Sequence, residues 1–375
     1  MYRYGDITEI ESLAEFKAQY PRLKNTAIQG VNFAEYTFDL KGLDLGNTIF
    51  LGCTFASDQI ALELQARGAI IFPGFSGLPY DPYRGALYSV DELMEGYDPD
   101  DDQSVDRRIY DHFSYHRKRG ADIIEALSQR IHDHAIDNAL TALLSGRDDG
   151  VEKKPVGIMG GHGTPRTDEN YRKVCEIARE LTRRGYFVVS GGGPGIMEAS
   201  NLGAWLAGYD DTALDEALEI LKVAPTYTSK DFTPAAARVV ERFPEGRESL
   251  AIPTWFYGHE PSNLFSQHIA KYFANSLRED GLLAIATSGV IYAKGSAGTL
   301  QEVFMDLCQN HYGTFKLVSP MVFLDKQYYQ EDIGLYPMLE TFTGGRAYAK
   351  SIGIFDEPID VVDFIDAHPP YVPQS

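Results

Sequence analysis

Three glycine-rich segments, each between a short apolar run and a helical pattern, are the residues most able to do chemistry in this sequence. They are Gly160–Gly163, Gly191–Gly195 and Gly295–Gly298. Glycine lets the backbone approach a phosphate or a ribose closely, and the N-terminus of the following helix offers unpaired N–H donors. A single junction of this kind can be a simple tight turn. Three of them predict a binding site for a small phosphorylated ligand.

The spacing of the glycines narrows the class of ligand. Ile196 stands where Gly191-x-Gly193 would need the third glycine of a dinucleotide fingerprint, and Glu198 stands there for Gly193-x-Gly195. None of the segments has the GxxxxGK[ST] spacing of a nucleoside triphosphatase. The sequence therefore favours a mononucleotide over NAD or ATP.

The elements that must position these segments form an α/β pattern from Pro155 onward. Apolar β-branched runs alternate with helical patterns, which predicts an α/β domain with a doubly wound parallel sheet over residues 151–375. Because ligands bind at the carboxyl ends of strands in such sheets, we expect the three segments to lie together. The predicted strands cover 156–159, 186–190, 250–252, 290–293 and 321–324, and the predicted helices cover 168–184, 196–207, 263–278, 299–309 and 357–367. Residues 212–248 predict two weaker helices and no strand.

Residues 1–150 are predicted to form an additional α/β and helical region, to which the sequence assigns no role. Strands over 47–51 and 69–72 flank a helical pattern and predict one βαβ unit. Ser104 is a candidate cap for a long helical stretch that reaches Leu144 and is interrupted at Gly120. This stretch carries four histidines, His112, His116, His132 and His134. A solvated helix face is favoured over a metal site, because no carboxylate-bearing zinc motif accompanies them.

The composition excludes several classes of partner. With 34 Lys+Arg against 54 Asp+Glu, the net charge is −20, and a surface this negative repels nucleic acid. No apolar run is long enough for a membrane span, and the N-terminus does not resemble a signal peptide. Only three cysteines occur and none forms a CxxC pair, which fits the reducing cytoplasm. We expect no metal and no cofactor.

Two motifs resemble a known family. The stretch Ser190-GGGPGIMEA-Ser200 and the stretch Gly295-SAGTLQE-Val303 resemble the GGGxxGxM and PGGxGTxxE loops of the LOG (Lonely Guy) nucleotide phosphoribohydrolases and the related bacterial nucleotide nucleosidases. The resemblance covers about residues 155–325, in the expected order. In the second motif, Lys294 replaces the proline and Ser296 replaces the middle glycine. Residues 1–150 resemble no family that we can name.

The resemblance implies a Rossmann-like enzyme that hydrolyses the N-glycosidic bond of a nucleoside 5′-monophosphate to free base and ribose 5-phosphate. It also implies a homodimer. The implied catalytic pair is Glu302 with Arg278, the nearest upstream arginine. The implied substrate-binding residues lie in the three glycine segments: Gly160, Gly161, His162, Gly191, Gly192, Gly193, Gly195, Met197, Glu198, Lys294, Gly295, Ser296, Ala297, Gly298 and Thr299.

Other interpretations of these residues stay open. Glu302 and Glu198 each lie in the first turn of a predicted helix, where an acid also stabilises the helix dipole. The aromatic segment from Trp255 could cap a base through Tyr257, His259 or Glu260, whereas Trp255 itself is expected to be buried for packing. The alternative function is a non-catalytic carrier of a nucleotide or of a phosphorylated pterin-type cofactor.

Overall fold

The computed structural model describes residues 7–72, 74–147, 150–259 and 263–373. The chain divides into two compact units. The first contains residues 1–87 and 115–139, and the second contains residues 88–114 and 140–375. The predicted domain boundary near residue 150 stays a prediction.

The first unit is built around a parallel sheet of short strands. Its strands are β1 (Thr8–Ile10), β2 (Thr26–Gln29), β4 (Ile49–Leu51) and β6 (Ile70–Phe72), in the order β1-β2-β4-β6, while β3 (Asn32–Phe33) pairs with β5 (Thr54–Phe55). Helix α1 covers Leu13–Gln19 and α2 covers Asp58–Ala66. The core of this unit is aromatic, and Phe16 packs edge-on against Phe33 with ring centroids 4.7 Å apart. The predicted βαβ unit is therefore confirmed as β4-α2-β6.

The long helical stretch is divided into α4 (Val105–Arg119) and α5 (Ile123–Leu144), and it follows the short helix α3 (Val90–Met94). Gly120 lies between α4 and α5 with φ of 79°, a backbone conformation that favours glycine. Ser104 caps α4, because its hydroxyl accepts a hydrogen bond from the backbone N–H of Arg107. The expected solvated face is wrong for His132, which is fully buried and bonds Asp133 through Nδ1 at 3.1 Å.

The second unit contains a seven-stranded parallel sheet in the order β10-β9-β8-β7-β11-β12-β13. The strands are β7 (Pro155–Met159), β8 (Phe187–Ser190), β9 (Leu250–Ala251), β10 (His268–Ile269), β11 (Val290–Tyr292), β12 (Met321–Leu324) and β13 (Ile352–Phe355). The helices of this region are α6 (Glu169–Arg183), α7 (Ile196–Trp205), α8 (Thr212–Leu221), α9 (Phe232–Arg242), α10 (Asn275–Ile285), α11 (Ala297–Tyr312), α12 (Leu335–Thr343) and α13 (Pro358–Ala367). The predicted parallel α/β sheet is confirmed.

The helical spacing of apolar residues places α6 on the sheet. Val174, Ile177 and Leu181 are fully buried in the same core cluster as strands β7 and β8. Asp168 caps the helix by accepting from the backbone N–H of Asn170 at 2.8 Å. The sequence predicted α6, β7 and β8 correctly because their buried residues recur along each segment at the spacing typical of a helix or a buried strand.

One predicted element is wrong. The helix expected over 263–278 does not form, because His268 and Ile269 belong to strand β10 and pair in parallel with Leu250 and Ala251. Helix α10 begins only at Asn275. A strand is more favourable than a helix at these residues because it pairs with the open edge of β9 and buries Ile269 completely. The sequence prediction also missed β13 and α12.

Candidate functional site

The three glycine segments meet because β8, β7 and β11 are consecutive in the sheet. The chain runs from β7 toward one edge of the sheet and then returns to β11 on the other side of β7, so the strand order reverses at this point. Reversals of this kind leave a crevice at the carboxyl ends of the strands. Two backbone bonds lock the segments together: Gly161 N–H donates to the Lys294 carbonyl at 3.0 Å, and Ile196 N–H donates to the Gly161 carbonyl at 3.1 Å.

A cavity of about 150 Å³ opens where the segments meet. Twelve of the seventeen predicted site residues line it: Gly160, Gly161, His162, Gly191, Gly192, Gly193, Met197, Arg278, Ser296, Gly298, Thr299 and Glu302. The other five, Gly195, Glu198, Lys294, Gly295 and Ala297, are not among its lining residues. The structure thus brings the two predicted catalytic residues into one cavity with the glycine segments.

Glu302 and Arg278 form an ion pair inside the cavity. Nη1 of Arg278 lies 3.6 Å from Oε1 of Glu302, and only 12% of each side chain is exposed. The arginine is oriented by a second bond, from Nε to the Ile252 carbonyl at 2.9 Å. Burial raises the pKa of the Glu302 carboxyl above its ordinary value, Arg278 opposes that rise, and Glu279 adds to it. This carboxyl therefore holds its proton up to a higher pH than an exposed glutamate does.

The absence of a side chain at Gly191 leaves space for the guanidinium of Arg278. A Cβ at this position would overlap Nη2 of Arg278 and would lie 2.6 Å from Sδ of Met197. A side chain at position 191 would therefore force the ends of the Arg278 and Met197 side chains to move. Gly195 is required for a different reason: its φ of 69° favours glycine, and a Cβ there would collide with the backbone carbonyl oxygens of Gly161 and His162.

Glu198 is placed away from the cavity, contrary to the predicted substrate-binding role. Its carboxylate is fully buried and accepts two bonds from Arg166, at 2.8 Å from Nε and 2.5 Å from Nη2. Tyr171 donates a third bond at 2.8 Å. Arg166 also stacks on the ring of Phe232, 3.6 Å from its centroid. Because its acceptors are used inside the protein, Glu198 stabilises the packing of α7 rather than a ligand.

The remaining predicted residues outside the cavity shape the third loop. The Lys294 side chain is exposed, with its ammonium 5.0 Å from the centroid of the Tyr328 ring. The Gly295 carbonyl accepts a bond from the Tyr328 hydroxyl at 2.6 Å, and a Cβ on Gly295 would collide with Thr299. Lys294 and Gly295 therefore hold the loop through their backbones.

The sequence analysis missed Lys271, which also lines the cavity. Lys271 is only 2% exposed and its ammonium lies 2.8 Å from Oδ1 and 2.9 Å from Oδ2 of Asp106. The indole N–H of Trp255 donates to the same carboxylate at 2.7 Å. Trp255 is completely buried, as expected. No sequence signal links Lys271 with Asp106, because 165 residues separate them and Lys271 fell in the segment predicted as helix.

The aromatic segment after Trp255 reaches the cavity at one point. Tyr257 lines it, and its hydroxyl donates to Oε1 of Glu279 at 3.2 Å. His259 lies beside the Asp106 carboxylate, with Nε2 3.8 Å from Oδ2, and burial lowers the pKa of its imidazole. Glu260 lies outside the described residues.

Comparison with known proteins finds one family match. Residues 153–208 match the model of the SLOG cluster4 family. That range covers β7, α6, β8 and α7, which carry the first two glycine segments. Comparison with the curated proteins gives no significant match.

Two solved structures are among those similar to this chain. The molybdenum cofactor carrier protein of Chlamydomonas reinhardtii is 16% identical, with a TM-score of 0.37 over 58% of this chain and 98% of that one. The molybdenum cofactor binding protein of Rippkaea orientalis is 15% identical, with a TM-score of 0.35 over the same shares. No described helix is both long and apolar enough to cross a membrane.

Proposed function

We propose that this protein hydrolyses the N-glycosidic bond of a nucleoside 5′-monophosphate. The observation that carries the proposal is the buried Glu302 carboxylate, paired with Arg278 in a cavity whose walls are glycine segments. The glycine segments supply backbone N–H groups for a phosphate and a ribose, and the carboxylate supplies the group that the reaction needs.

In the proposed reaction, the oxygen of a water molecule forms a bond to C1′ as the bond from C1′ to the base nitrogen breaks. The electron pair of that bond leaves with the base, which takes up a proton and is released, while ribose 5-phosphate remains. Positive charge builds on the ribose ring during this exchange, as in other glycoside hydrolyses. Glu302 stabilises that charge and accepts a proton from the water, which its raised pKa favours. Arg278 orients the carboxylate.

The phosphate is assigned to the loop that precedes α11. This helix has 16 residues, and Ser296, Gly298 and Thr299 at its start line the cavity. A helix N-terminus carries partial positive charge and unpaired N–H groups, so it binds an anion without a dedicated cation. This local site is compatible with the net charge of −20, which acts on large polyanions at the surface.

The experiment is a base-release assay with purified protein and AMP, GMP, CMP, UMP and IMP. We expect free base from at least one nucleotide, and we expect Glu302→Gln to lower its rate by about 10²–10⁴-fold, the usual share of a proton-transfer group. Glu169→Gln is the control, since Glu169 is also a glutamate on a helix that covers the sheet, α6, but lies outside the cavity. No base from any of the five nucleotides would contradict the proposal.

A carrier is the alternative function, and the same preparation distinguishes it. The two solved structures named above are described as a molybdenum cofactor carrier and a molybdenum cofactor binding protein. A carrier needs the glycine segments but has no need for Glu302 beside Arg278, which is why we favour the enzyme. Stoichiometric retention of a nucleotide or pterin cofactor, without release of base, would favour the carrier.

We also infer a homodimer that works in the cytoplasm on a free nucleotide, with residues 151–375 as the catalytic domain. Only three cysteines occur in the chain, which fits a reducing compartment. Light scattering on the full chain at several concentrations tests the dimer. A constant mass of one chain, 41.7 kDa, would contradict it.

A further inference from the structure

Tyr257 presents an aromatic ring at the mouth of the cavity. Among the described residues that line the cavity, two have aromatic rings, Tyr257 and His162. Tyr257 is 69% exposed, and the neighbouring Phe256 ring is perpendicular to it, with the centroids 5.2 Å apart and an angle of 89° between the planes. At least one face of the Tyr257 ring is therefore open to a planar ligand.

The hydroxyl of Tyr257 is held in place by helix α10. It donates to Oε1 of Glu279 at 3.2 Å and accepts from Nδ2 of Asn275 at 2.9 Å. The second carboxylate oxygen of Glu279 accepts from Nε2 of Gln301, on α11, at 2.9 Å. Two bonds at its hydroxyl restrict the rotation of an otherwise exposed side chain. The ring is thus oriented before a ligand binds, which reduces the entropic cost of contact with it.

The same bonds connect the ring with the proposed reacting pair. Glu279 follows Arg278 directly on α10, and its charge is near enough to raise the pKa of the Glu302 carboxyl. The glycosidic bond joins C1′ directly to the base, so a base that is cleaved at Glu302 must lie beside this pair. His162 belongs instead to the glycine segment after β7, and its ring packs against that of Tyr227, with the centroids 5.8 Å apart.

The volume of the cavity leaves the base at its mouth. Cavities that enclose a small organic ligand have volumes of about 300 Å³ or more. This cavity has about 150 Å³, which accommodates only part of a nucleotide. With the sugar beside Glu302, the base extends toward the exposed ring. Stacking on an aromatic ring recognises the face of a base, which every base has, rather than the pattern of donors and acceptors on its edge.

We propose that Tyr257 stacks on the nucleobase and that the site recognises the face of the base rather than its edge. The site then accepts several bases and binds purines more tightly than pyrimidines, because the bicyclic ring covers more of the tyrosine. AMP and IMP should bind alike, since they have the same ring system. The inference rests on the proposed function for the ligand class, a nucleoside monophosphate.

The test measures equilibrium binding of AMP and ribose 5-phosphate to Glu302→Gln protein, so that turnover does not interfere. The ratio of the Kd of ribose 5-phosphate to the Kd of AMP gives the contribution of the base. We expect a ratio of at least about fivefold, the lower end of the range for stacking of a base on an aromatic residue. Adding Tyr257→Ala should bring the ratio close to one and leave the Kd of ribose 5-phosphate within about twofold of the parent.

Tyr257→Phe separates the ring from its hydroxyl. The phenylalanine keeps the stacking surface and loses both hydrogen bonds, so we expect the ratio to stay within about twofold of the parent. Tyr312→Ala is the matched control. Tyr312 is also an exposed tyrosine beside a second ring, that of His311, but it is not among the cavity residues. His162→Ala tests the other ring of the cavity. Both alanine variants should retain the ratio of the parent.

The same titrations with GMP, IMP, CMP and UMP test how the base is recognised. We expect the three purine nucleotides to bind more tightly than the two pyrimidine nucleotides, and AMP and IMP to bind within about threefold of each other. Tyr257→Ala should reduce the difference between purines and pyrimidines. A difference of more than about tenfold between AMP and IMP would show that the edge of the base is recognised, and would overturn the inference.

Three further results overturn it: a ratio close to one in the parent, a ratio that survives Tyr257→Ala, or a larger loss of the ratio in His162→Ala than in Tyr257→Ala. The proposed hydrolysis fails separately. If wild-type protein releases no base but binds AMP through Tyr257, the stacking stands and the hydrolase is rejected. If it releases base and Tyr257→Ala leaves the ratio unchanged, the hydrolase stands and the stacking is rejected.

Discussion

The guanidinium of Arg278 and the carboxylate of Glu302 meet from two different helices, with Nη1 and Oε1 3.6 Å apart. Arg278 lies on α10 and is tied to the Ile252 carbonyl, while Glu302 lies in the second turn of α11, after the third glycine segment. Because neither helix alone determines the distance, the pair depends on how the sheet spaces the two helices. A change of charge near this pair should therefore shift the pH dependence of the rate, whereas a change of packing that moves Arg278 should lower the rate itself.

The pH dependence of base release should reflect the raised pKa of Glu302. The carboxyl must be ionised to accept a proton, so kcat/KM should fall as the pH drops through its pKa, with a midpoint above the ordinary value of 4.5. Glu279→Gln removes a negative charge that raises this pKa, so the acid limb should move to lower pH. A pH–rate profile of both proteins checks the direction.

The opposite charge change provides the control for that profile. Arg278→Met removes a positive charge that lowers the pKa of Glu302, so the acid limb of the remaining activity should move to higher pH. If both variants moved the limb in the same direction, Glu302 would not be the group that titrates.

Gly191→Ala should impair base release without unfolding the protein. The new methyl group would overlap Nη2 of Arg278 and displace it from Glu302. A displacement of about 1 Å at a reacting centre can cost about 100-fold in rate, which steady-state kinetics would detect. Gly281→Ala is the control on the same helix as Arg278, because a Cβ there meets no atom within 4 Å. Equal activities of the two variants would show that the missing side chain at Gly191 is not needed to position Arg278 for the reaction.

Glu198→Gln should affect stability rather than catalysis. The change leaves the buried guanidinium of Arg166 without its charged partner, and breaking a buried ion pair in this way costs about 3–5 kcal/mol. Urea unfolding measures the loss. Asp215→Asn breaks the exposed pair with Arg172 and should cost at most about 1 kcal/mol. A stable Glu198→Gln protein with weakened nucleotide binding would restore the predicted binding role.

Asp306→Asn should alter how stability depends on pH. Complete burial raises the pKa of Asp306 to about 7, although the Tyr292 hydroxyl, which donates to it at 2.8 Å, opposes the rise. The folded state therefore holds a proton that the unfolded state releases near its ordinary pKa of 3.8. The free energy of unfolding should consequently fall as the pH rises toward 7, by at most about 1.4 kcal/mol per pH unit from this group.

The asparagine variant has no such proton, so its stability should fall less between pH 5 and 7 than that of the wild type. Its side-chain carbonyl can still accept from Tyr292, which preserves the local hydrogen bond. Urea unfolding at several pH values gives the difference between the two curves. Parallel curves would show that Asp306 does not exchange its proton on unfolding.

The segment from Asn263 to Arg278 shows where sequence reasoning fails. Its residues permit a helix, but the open edge of β9 makes a strand at His268–Ile269 more favourable. That edge is formed by a strand outside the segment, so no local pattern could report it. Because the segment was predicted as a helix, Lys271 was not recognised as a cavity residue. Its position depends on the end of strand β10 and on Asp106 of α4.

The sequence alone determined the parallel α/β sheet of the second unit, the three glycine segments and the candidates Glu302 and Arg278. These features depend on short-range periodicity and on residues that only tight backbone positions require. The tertiary structure decided which acid faces the cavity. Glu198 and Glu302 follow similar loops. Arg166 pairs with Glu198 inside the core and Tyr171 donates a hydrogen bond to it, whereas Glu302 lines the cavity beside Arg278. Such contacts join distant segments, and only the folded chain brings them together.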